Sequence, residues 1–400
     1  MRKASLSMLA AAFAVAMAAS ASAQTPGVTA TEIKIGNTMP YSGPASALSA
    51  TGKVLTAYME MVNEKGGING RRINLISLDD GFAPPKTVEV TRKLVESDGV
   101  AFMFATMGTA PSSAIAKYLN TVKVPHLFLI SSASKWNDPK GMPWSMALPW
   151  APSYLEDAKI HVRYVRDKKP DARFAVLYQN DDSGKDYMRG LREVLGADAD
   201  KAIAMASSFE VTDPTVDSQI ISLANTKADV LMIYSVTPRA CAQAVRKAHE
   251  IGWKPIRFIS SGCANRETVM VPAGLEASQG LLAVGAMKPF KADSDDPAIR
   301  DYVAFMKQRV PALDPGNQAA EYGYMVSQAL IKVLEQAGND LSRENIMKQA
   351  ANLRNVPLPI LLPGITLNTA PDDYRPIKDG YMMEFDGNEW KLISEVLRGS

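Results

Sequence analysis

The sequence predicts an α/β fold with two doubly wound lobes. Short apolar runs at Val100–Ala105, Phe174–Tyr178 and Val230–Tyr234 are typical of strands buried on both faces, as in a parallel sheet. Amphipathic helical patterns separate these runs, and strand and helix alternate through most of the chain. The 400 residues also exceed the size of one ordinary domain, so two lobes are expected.

The first residues are typical of a secretory signal peptide. Arg2 and Lys3 form a basic start, residues 6–19 form an apolar core, and Ala21-Ser22-Ala23 offers a small-residue cleavage site. The apolar core is shorter than the ~20 residues that a membrane-spanning helix needs. We therefore expect a signal peptide over 1–23, cleavage after Ala23 and export to the periplasm.

The first strand after this leader runs into a loop of Pro, Tyr, Ser, Gly and Pro at residues 40–44. The helix that follows carries its apolar side chains on one face, and Gly66 is placed to end it. Ligands of α/β proteins bind where strand ends meet such loops. Tyr41 and Ser42 are therefore candidate ligand-binding residues.

Further along the chain, capping signals predict two helix starts. Ser153 and Glu156 form a capping box, and Asp213 precedes a proline suited to a first helical turn. The irregular, proline-rich segments 142–152 and 356–373 are predicted to cross between the lobes.

The charge balance argues against nucleic acid as a partner. Lys and Arg number 44 and Asp and Glu 42, for a net charge of +2. Without Arg2 and Lys3 the two totals are equal, so no basic excess remains to neutralise phosphates.

Motifs for enzymatic chemistry are missing from the sequence. Residues 132–135 match the Ser-x-x-Lys pattern of serine acyl enzymes, but its Ser-Asp-Asn and Lys-Thr-Gly companions do not occur. The glycine motifs that bind phosphates or dinucleotides are absent too. The three histidines have no partners at metal-ligand spacing. We expect neither catalysis nor a cofactor or metal.

Cys241 and Cys263 are the only cysteines. Each lies just past a predicted strand, so the two could meet at one edge of a sheet and form a disulfide in an oxidising compartment. The alternative is a pair of buried free thiols, because spacing alone does not establish the Cα separation that a bridge needs.

The sequence resembles the periplasmic solute-binding proteins of ABC transporters, of the branched-chain amino-acid (Leu/Ile/Val) type. The resemblance extends over nearly the whole chain after the leader. Its more specific pieces occur in the family's order and spacing, at residues 41–44, 63–70, 79–80 and 180–185.

The resemblance implies a type I clamshell of two Rossmann-like lobes joined by three crossover segments. Residues 28–146 and 283–350 would form the first lobe, and residues 147–282 and 351–400 the second. A small ligand would bind between the lobes of a monomer and close the hinge, and the closed form would dock on a membrane permease.

The resemblance also implies a carboxylate site on two strand-end loops of the first lobe. These are Gly108-Thr109-Ala110 and Ser131-Ser132-Ala133-Ser134, both near helix starts, where free N–H groups favour an anion. Thr109 and Ser134 would supply hydroxyls. The alternative for each is an ordinary helix cap.

Three positions depart from the amino-acid binders of the family. Gly262 stands where an acidic side chain usually pairs with the ligand ammonium, and an ammonium buried without a counter-charge is costly. Ser183, and Val236 with Thr237, stand where aromatic side chains are frequent. The site would thus lack an ammonium acceptor and gain room.

These departures favour a carboxylate without an α-amino group, such as an aromatic acid of the benzoate or hydroxycinnamate type. The candidate apolar walls are Tyr41, Phe82, Met107, Trp136 and Trp150. A branched-chain or other apolar amino acid is the main alternative, and it would need Asp181, Asp182 or Glu267 as acceptor. A ligand-sensing module of a receptor is another alternative, and an α/β hydrolase is a third.

Overall fold

A computed structural model of the chain describes residues 25–291 and 293–398, so the predicted signal peptide, 1–23, lies outside the described residues. The strands are β1 Glu32–Met39, β2 Arg72–Asp79, β3 Phe102–Phe104, β4 His126–Leu129, β5 Ser145–Ala147, β6 Phe174–Gln179, β7 Ile203–Phe209, β8 Val230–Tyr234, β9 Ile256–Ile259, β10 Leu281–Gly285, β11 Tyr381–Phe385 and β12 Trp390–Leu392.

Helices connect most of these strands. They are α1 Ala50–Glu64, α2 Pro84–Arg92, α3 Thr109–Thr121, α4 Tyr154–Arg166, α5 Asp182–Leu195, α6 Ala199–Ala202, α7 Asp217–Asn225, α8 Pro238–Glu250, α9 Val271–Ala273, α10 Leu275–Ser278, α11 Pro297–Arg309, α12 Gln318–Ala337 and α13 Arg343–Ala350. Short 3-10 or π turns lie at Ser46–Ser49, Lys93–Ser97, Ser134–Trp136, Gly196–Asp198, Ser261–Cys263 and Arg266–Met270.

The strands form two sheets, as the alternating pattern predicts. The first has the order β2-β1-β3-β4-β5 and is parallel throughout. The second has the order β12-β11-β10-β9-β8-β6-β7, and its antiparallel pairs are β10 with β11 and β11 with β12. The apolar run at 230–234 is buried at every position, which fits a strand covered by helices on both faces.

Two of the three helix ends predicted from local sequence agree with the structure. Ser153 caps α4 by accepting the backbone N–H of Glu156, and Gly66 follows the end of α1 with φ +102°. The predicted cap at Asp213 is wrong, since α7 begins only at Asp217. The Asp213 carboxylate instead accepts the backbone N–H of Glu210 and shapes a turn before the helix.

Helices α11 to α13 return to the first sheet after β10. Helix α12 packs against α1 so closely that a Cβ at Gly323 would lie 2.9 Å from the Thr51 carbonyl oxygen. The Thr51 hydroxyl also donates to the Ala319 carbonyl at 2.8 Å. Apolar side chains from 353–377 join the same core, and then the chain enters β11 of the second sheet.

The chain therefore passes between the sheets after β5, after β10 and before β11, which gives the three crossings expected for this architecture. The carboxyl ends of the parallel strands of both sheets supply the loops of one cavity. Over the residues that the structure describes, no helix combines the length and apolarity that a membrane span requires.

Candidate ligand-binding site

A cavity with an empty volume of ≈ 330 Å³ lies between the two sheets, and we call it the interlobe cavity. Its lining residues are Leu48, Phe82, Met107, Gly108, Ile130, Trp150, Tyr154, Val236 and Gly262. Most of them follow the carboxyl end of a strand: β1, β2, β3, β4, β8 or β9. Ligands of open α/β sheets bind at this edge.

The walls are mainly apolar and closely fitted. The Phe82 ring lies over Gly108, where a Cβ would come within 2.4 Å of the ring, and Gly108 also has φ +97°. Trp150 packs on Tyr322 of α12 with ring centroids 4.3 Å apart. Six of the residues predicted to contact the ligand line this cavity. They are Phe82, Met107, Gly108, Trp150, Val236 and Gly262.

Hydroxyl groups of the first lobe meet at the start of α3. Ser131 Oγ accepts the Ala133 N–H at 3.1 Å and the Trp136 indole N–H at 2.8 Å, and it lies 2.6 Å from Thr109 Oγ1. A hydroxyl has two acceptor lone pairs and one proton. Since both lone pairs of Ser131 are used, its proton goes to Thr109, and the Thr109 proton is left to donate elsewhere.

Tyr154 brings a hydroxyl from the second lobe to this cluster. Burial raises the pKa of the Tyr154 hydroxyl, and hydrogen bonds from the Ser132 backbone and the Thr109 hydroxyl oppose that rise. The ring stands edge-on to Tyr234 of β8, with centroids 5.2 Å apart. A neutral tyrosine beside Thr109 can donate to a ligand carboxylate, so the polar end of the cavity suits an anion.

The loop with Ser132, Ala133 and Ser134 lies elsewhere than predicted. Its three residues line a different cavity, of ≈ 790 Å³, that also contains Arg375 and Lys378. Ser134 uses both its N–H and its hydroxyl on the Asp186 carboxylate of α5, at 2.8 and 2.7 Å. In this structure Ser134 joins the two lobes rather than facing the interlobe cavity.

Trp136 and two residues of the loop after β1, Tyr41 and Ser42, do not line the interlobe cavity. Trp136 is 2% exposed and holds Ser131 through its indole nitrogen instead of lining the cavity. The Tyr41 hydroxyl lies 2.7 Å from Ser77 Oγ, and burial raises its pKa. Ser42 is exposed and donates to Asp79. Neither Tyr41 nor Ser42 is among the lining residues.

Ser183 and Thr237 are buried close to Tyr234 and β8 without lining the cavity. Ser183 is part of the cap of α5 and donates its N–H and hydroxyl to Asp181. Thr237 Oγ1 lies 2.9 Å from Ser235 Oγ. Small side chains at these positions leave Tyr154 as the aromatic wall on this side of the cavity.

Gly262 faces open space. A Cβ built at Gly262 meets no atom within 4 Å, so the position has room for a side chain but carries none. The three acids that could replace Gly262 as ammonium acceptor already have other partners. Asp181 accepts the Ser183 and Gly184 N–H groups, Asp182 pairs with Lys135 at 2.6 Å, and Glu267 pairs with Arg266.

Three lining residues were not predicted: Leu48, Ile130 and Tyr154. Ile130 directly precedes the predicted serine loop, and Tyr154 directly follows the predicted cap at Ser153. The position of Ile130 after a strand and that of Tyr154 at a helix start could have indicated that both residues line the cavity. Leu48 lies in a 3-10 turn after the first loop and gives no such signal.

The predicted disulfide is present in the structure. Cys241 and Cys263 are bonded with their Cα atoms 6.3 Å apart. The bond ties the first turns of α8 to the short turn Ser261–Cys263, which carries Gly262. Among the described residues, no group of three or more His, Cys, Asp and Glu side chains is arranged to hold a metal ion.

A sequence model of the family described as periplasmic binding protein matches residues 32–389. Leu/Ile/Val-binding protein homolog 7 of Brucella suis biovar 1 (strain 1330) is 25% identical over 238 residues, which span 58% of this chain and 59% of that protein. The leucine-, isoleucine-, valine-, threonine- and alanine-binding protein of Pseudomonas aeruginosa is 24% identical over 338 residues, or 83% of this chain and 84% of that protein.

Solved structures share the fold at low sequence identity. A branched-chain amino acid ABC transporter protein from Thermus thermophilus with bound valine has a TM-score of 0.80 at 14% identity, over 93% of this chain and 98% of that one. A fatty acid ABC transporter substrate-binding protein from Thermomonospora curvata has a TM-score of 0.76 at 22% identity, over 94% and 95%.

Proposed function

Since this chain belongs to the periplasmic binding protein family, we propose that it is the solute-binding component of an ABC importer and that its ligand is a small aromatic carboxylic acid. The acid binds in the interlobe cavity, closes the two lobes and is delivered to a membrane permease. The exported protein acts as a monomer in the periplasm and does not transform its ligand.

The single observation that carries the ligand class is the unoccupied position at Gly262. A buried ammonium needs a counter-charge, because taking an ion out of water without one costs several kcal/mol. Gly262 has room for an acid but supplies none, and the alternative acceptors Asp181, Asp182 and Glu267 are held by other groups. Glu321 lines the adjoining cavity, and there burial disfavours its charged form. A ligand with a carboxylate and no ammonium fits this arrangement.

The remaining walls support an aromatic or similarly bulky body. Phe82, Met107, Ile130 and Trp150 enclose the cavity with apolar surface, which rewards burial of apolar ligand area by about 25 cal/mol per Å². Tyr154 is a lining residue, and the Thr109 hydroxyl, which is not among the lining residues, is hydrogen-bonded to it. We place the ligand carboxylate next to these two hydroxyls.

An apolar amino acid is the second candidate, because the Pseudomonas aeruginosa relative is named as a binder of leucine, isoleucine, valine, threonine and alanine. A thermal-shift screen separates the two. The exported chain, unfolded and refolded to remove carried ligand, is tested with benzoate, cinnamate, aliphatic acids, leucine and valine. A ligand at a hundred times its Kd adds about 2.7 kcal/mol of stability.

We expect stabilisation by aromatic acids and none by leucine or valine. Stabilisation by the amino acids, with no response to the acids, would contradict the proposed ligand class. Consumption of a bound acid during prolonged incubation would contradict the transport role and favour a hydrolase.

A further inference from the structure

A second cavity lies beside the interlobe cavity, and Trp150 is a wall of both. Its empty volume is ≈ 680 Å³, and we call it the side cavity. Ser261, next to Gly262 in the same short turn, lines it as well. Helix α12 closes it from the first lobe, and β12 closes it from the second.

Glu321, in the first turn of α12, is a buried acid that lines the side cavity. Its side chain is only 4% exposed, and Oε1 is shielded from solvent without a hydrogen-bond partner among the described residues. Burial raises the pKa of Glu321 well above its ordinary value. Burial therefore favours the uncharged carboxylic acid, which can both donate and accept a hydrogen bond.

Two more buried polar atoms on the same cavity also lack partners in the described chain: Ser261 Oγ and the indole nitrogen of Trp390. Buried polar atoms are nearly always hydrogen-bonded. Three unpaired ones around a single cavity therefore indicate that a polar ligand group can bind there.

The charged residues of the side cavity do not compete for that group. Arg266 pairs with Glu267, and Lys288 pairs with Asp296 at 2.5 Å. The unpaired atoms belong to a carboxylic acid, a hydroxyl and an indole N–H. An N–H can only donate, so an ammonium could not satisfy Trp390, whereas a hydroxyl oxygen can accept from it and donate to Glu321.

We infer that the ligand carries a hydroxyl group at the end remote from its carboxylate, and that Glu321 binds this hydroxyl in the side cavity together with Ser261 and Trp390. The inference rests on the proposed function, in which the carboxylate lies in the interlobe cavity. It narrows the ligand class to hydroxylated acids long enough to pass Trp150.

Titration calorimetry with matched acids tests the inference. The pairs are benzoate with para-hydroxybenzoate, cinnamate with para-hydroxycinnamate, and hydrocinnamate with para-hydroxyhydrocinnamate. We expect at least one hydroxylated acid to bind about tenfold tighter than its parent, which corresponds to about 1.4 kcal/mol and lies within the usual range for one hydrogen bond. Glu321→Gln, which still donates and accepts, should keep that preference, and Glu321→Leu should remove it.

Glu267→Gln is the matched control, because Glu267 lines the same cavity but is paired with Arg266. It should keep the preference. Acids that bind without any preference for the hydroxyl, or a preference that survives in Glu321→Leu, would overturn the inference and leave the proposed function intact. If no acid in any pair binds, the proposed ligand class fails and the inference fails with it.

A ligand-free measurement gives an independent test. An unpaired buried acid lowers stability, so Glu321→Leu should raise the Tm of the empty protein while Glu321→Gln changes it little. A lower Tm for Glu321→Leu would mean that Glu321 has a structural role, and this would overturn the inference.

Discussion

Gly262 is the residue whose identity bears most directly on which ligands the protein accepts. It sits in the turn Ser261–Cys263 at the edge of the interlobe cavity, and space is open where its Cβ would be. The substitution Gly262→Glu should therefore fold normally and place a carboxylate at the cavity. A bound acid would then face a like charge, which is destabilising in a buried site.

Binding of the best aromatic acid should weaken at least tenfold in Gly262→Glu, measured by calorimetry, since each tenfold corresponds to about 1.4 kcal/mol. Gly262→Gln is the matched control, because it adds nearly the same volume without the charge. Equal losses in both variants would show that the added volume, and not the charge, blocks the ligand. Tighter binding of the acid by Gly262→Glu would contradict the missing-acceptor account.

Thr109 is the second residue with a defined expectation. Its hydroxyl receives the Ser131 proton and is hydrogen-bonded to the hydroxyl of Tyr154, which lines the cavity. In the proposed complex the Thr109 hydroxyl donates to the ligand carboxylate instead. Thr109→Val should weaken acid binding by about 1.5–3 kcal/mol, the usual value of a hydrogen bond to a charged group. The measurement is calorimetry with the same acid.

Thr121→Val is the control for Thr109→Val, because it makes the same change at the exposed, far end of α3. It should leave affinity unchanged. If Thr109→Val bound the acid as tightly as the unchanged protein, the carboxylate would have to lie elsewhere, and the serine loop on the neighbouring cavity would be the place to look.

At the scale of elements, strand β4 carries a buried histidine that makes stability depend on pH. His126 is fully buried, and neither ring nitrogen has a partner in the described chain. Burial lowers the pKa of His126 from 6.5 to about 3. The unfolded chain therefore binds one more proton than the folded protein between these pH values, so the free energy of unfolding falls as pH falls through this window.

The unchanged protein should lose about 1.4 kcal/mol per pH unit relative to His126→Leu on going below pH 6.5, and the difference should be constant above it. Urea unfolding of both proteins across this range measures the difference, in which the other titrating groups cancel. A difference that does not change with pH would mean that His126 is protonated, or reached by water, in the folded state.

The disulfide links two elements that frame the site. It closes a loop with a sequence separation of 22 residues, for which the loss of unfolded-state entropy is worth about 3 kcal/mol. Cys241→Ala combined with Cys263→Ala should lower the free energy of unfolding by about that amount. Affinity should fall as well, since the turn that holds Gly262 loses its tie to α8.

Chemical unfolding and calorimetry measure both effects. Addition of a reductant should reproduce them in the unchanged protein and do nothing further to the double variant. Unchanged affinity in the double variant would show that hydrogen bonds alone hold the turn, such as the one from the Ser260 hydroxyl to the Ser235 carbonyl at 2.6 Å.

At the scale of the whole molecule, two polar contacts join the lobes beside the site. Lys135 pairs with Asp182, and Ser134 donates to Asp186, where the Arg189 guanidinium also binds. All these side chains come from the serine loop of one lobe and from α5 of the other. Contacts of this kind favour the arrangement in which the two lobes are closed on each other.

A feature could be predicted from the sequence when nearby residues in the chain determine it, and not when it depends on a partner that is distant in the chain. The strands, most helix ends and six cavity residues follow local patterns or strand-end position, and Val230–Tyr234 is one example predicted to the residue. Ser134 was misplaced because its partner, Asp186, is 52 positions away in the chain. The role of Glu321 could not be predicted, because the sequence of its own helix does not indicate that residues of the other lobe cover it.

The most direct test of the central claim is calorimetry on the stripped protein with matched pairs that differ only by an α-ammonium group. Hydrocinnamate is compared with phenylalanine, and isocaproate with leucine. We expect that the acids bind, hydrocinnamate more tightly than isocaproate, and that both amino acids bind at least a hundredfold more weakly, since an unpaired buried ammonium costs several kcal/mol. Tighter binding of phenylalanine or leucine than of its matched acid would contradict this expectation and would mean that the site holds an ammonium acceptor.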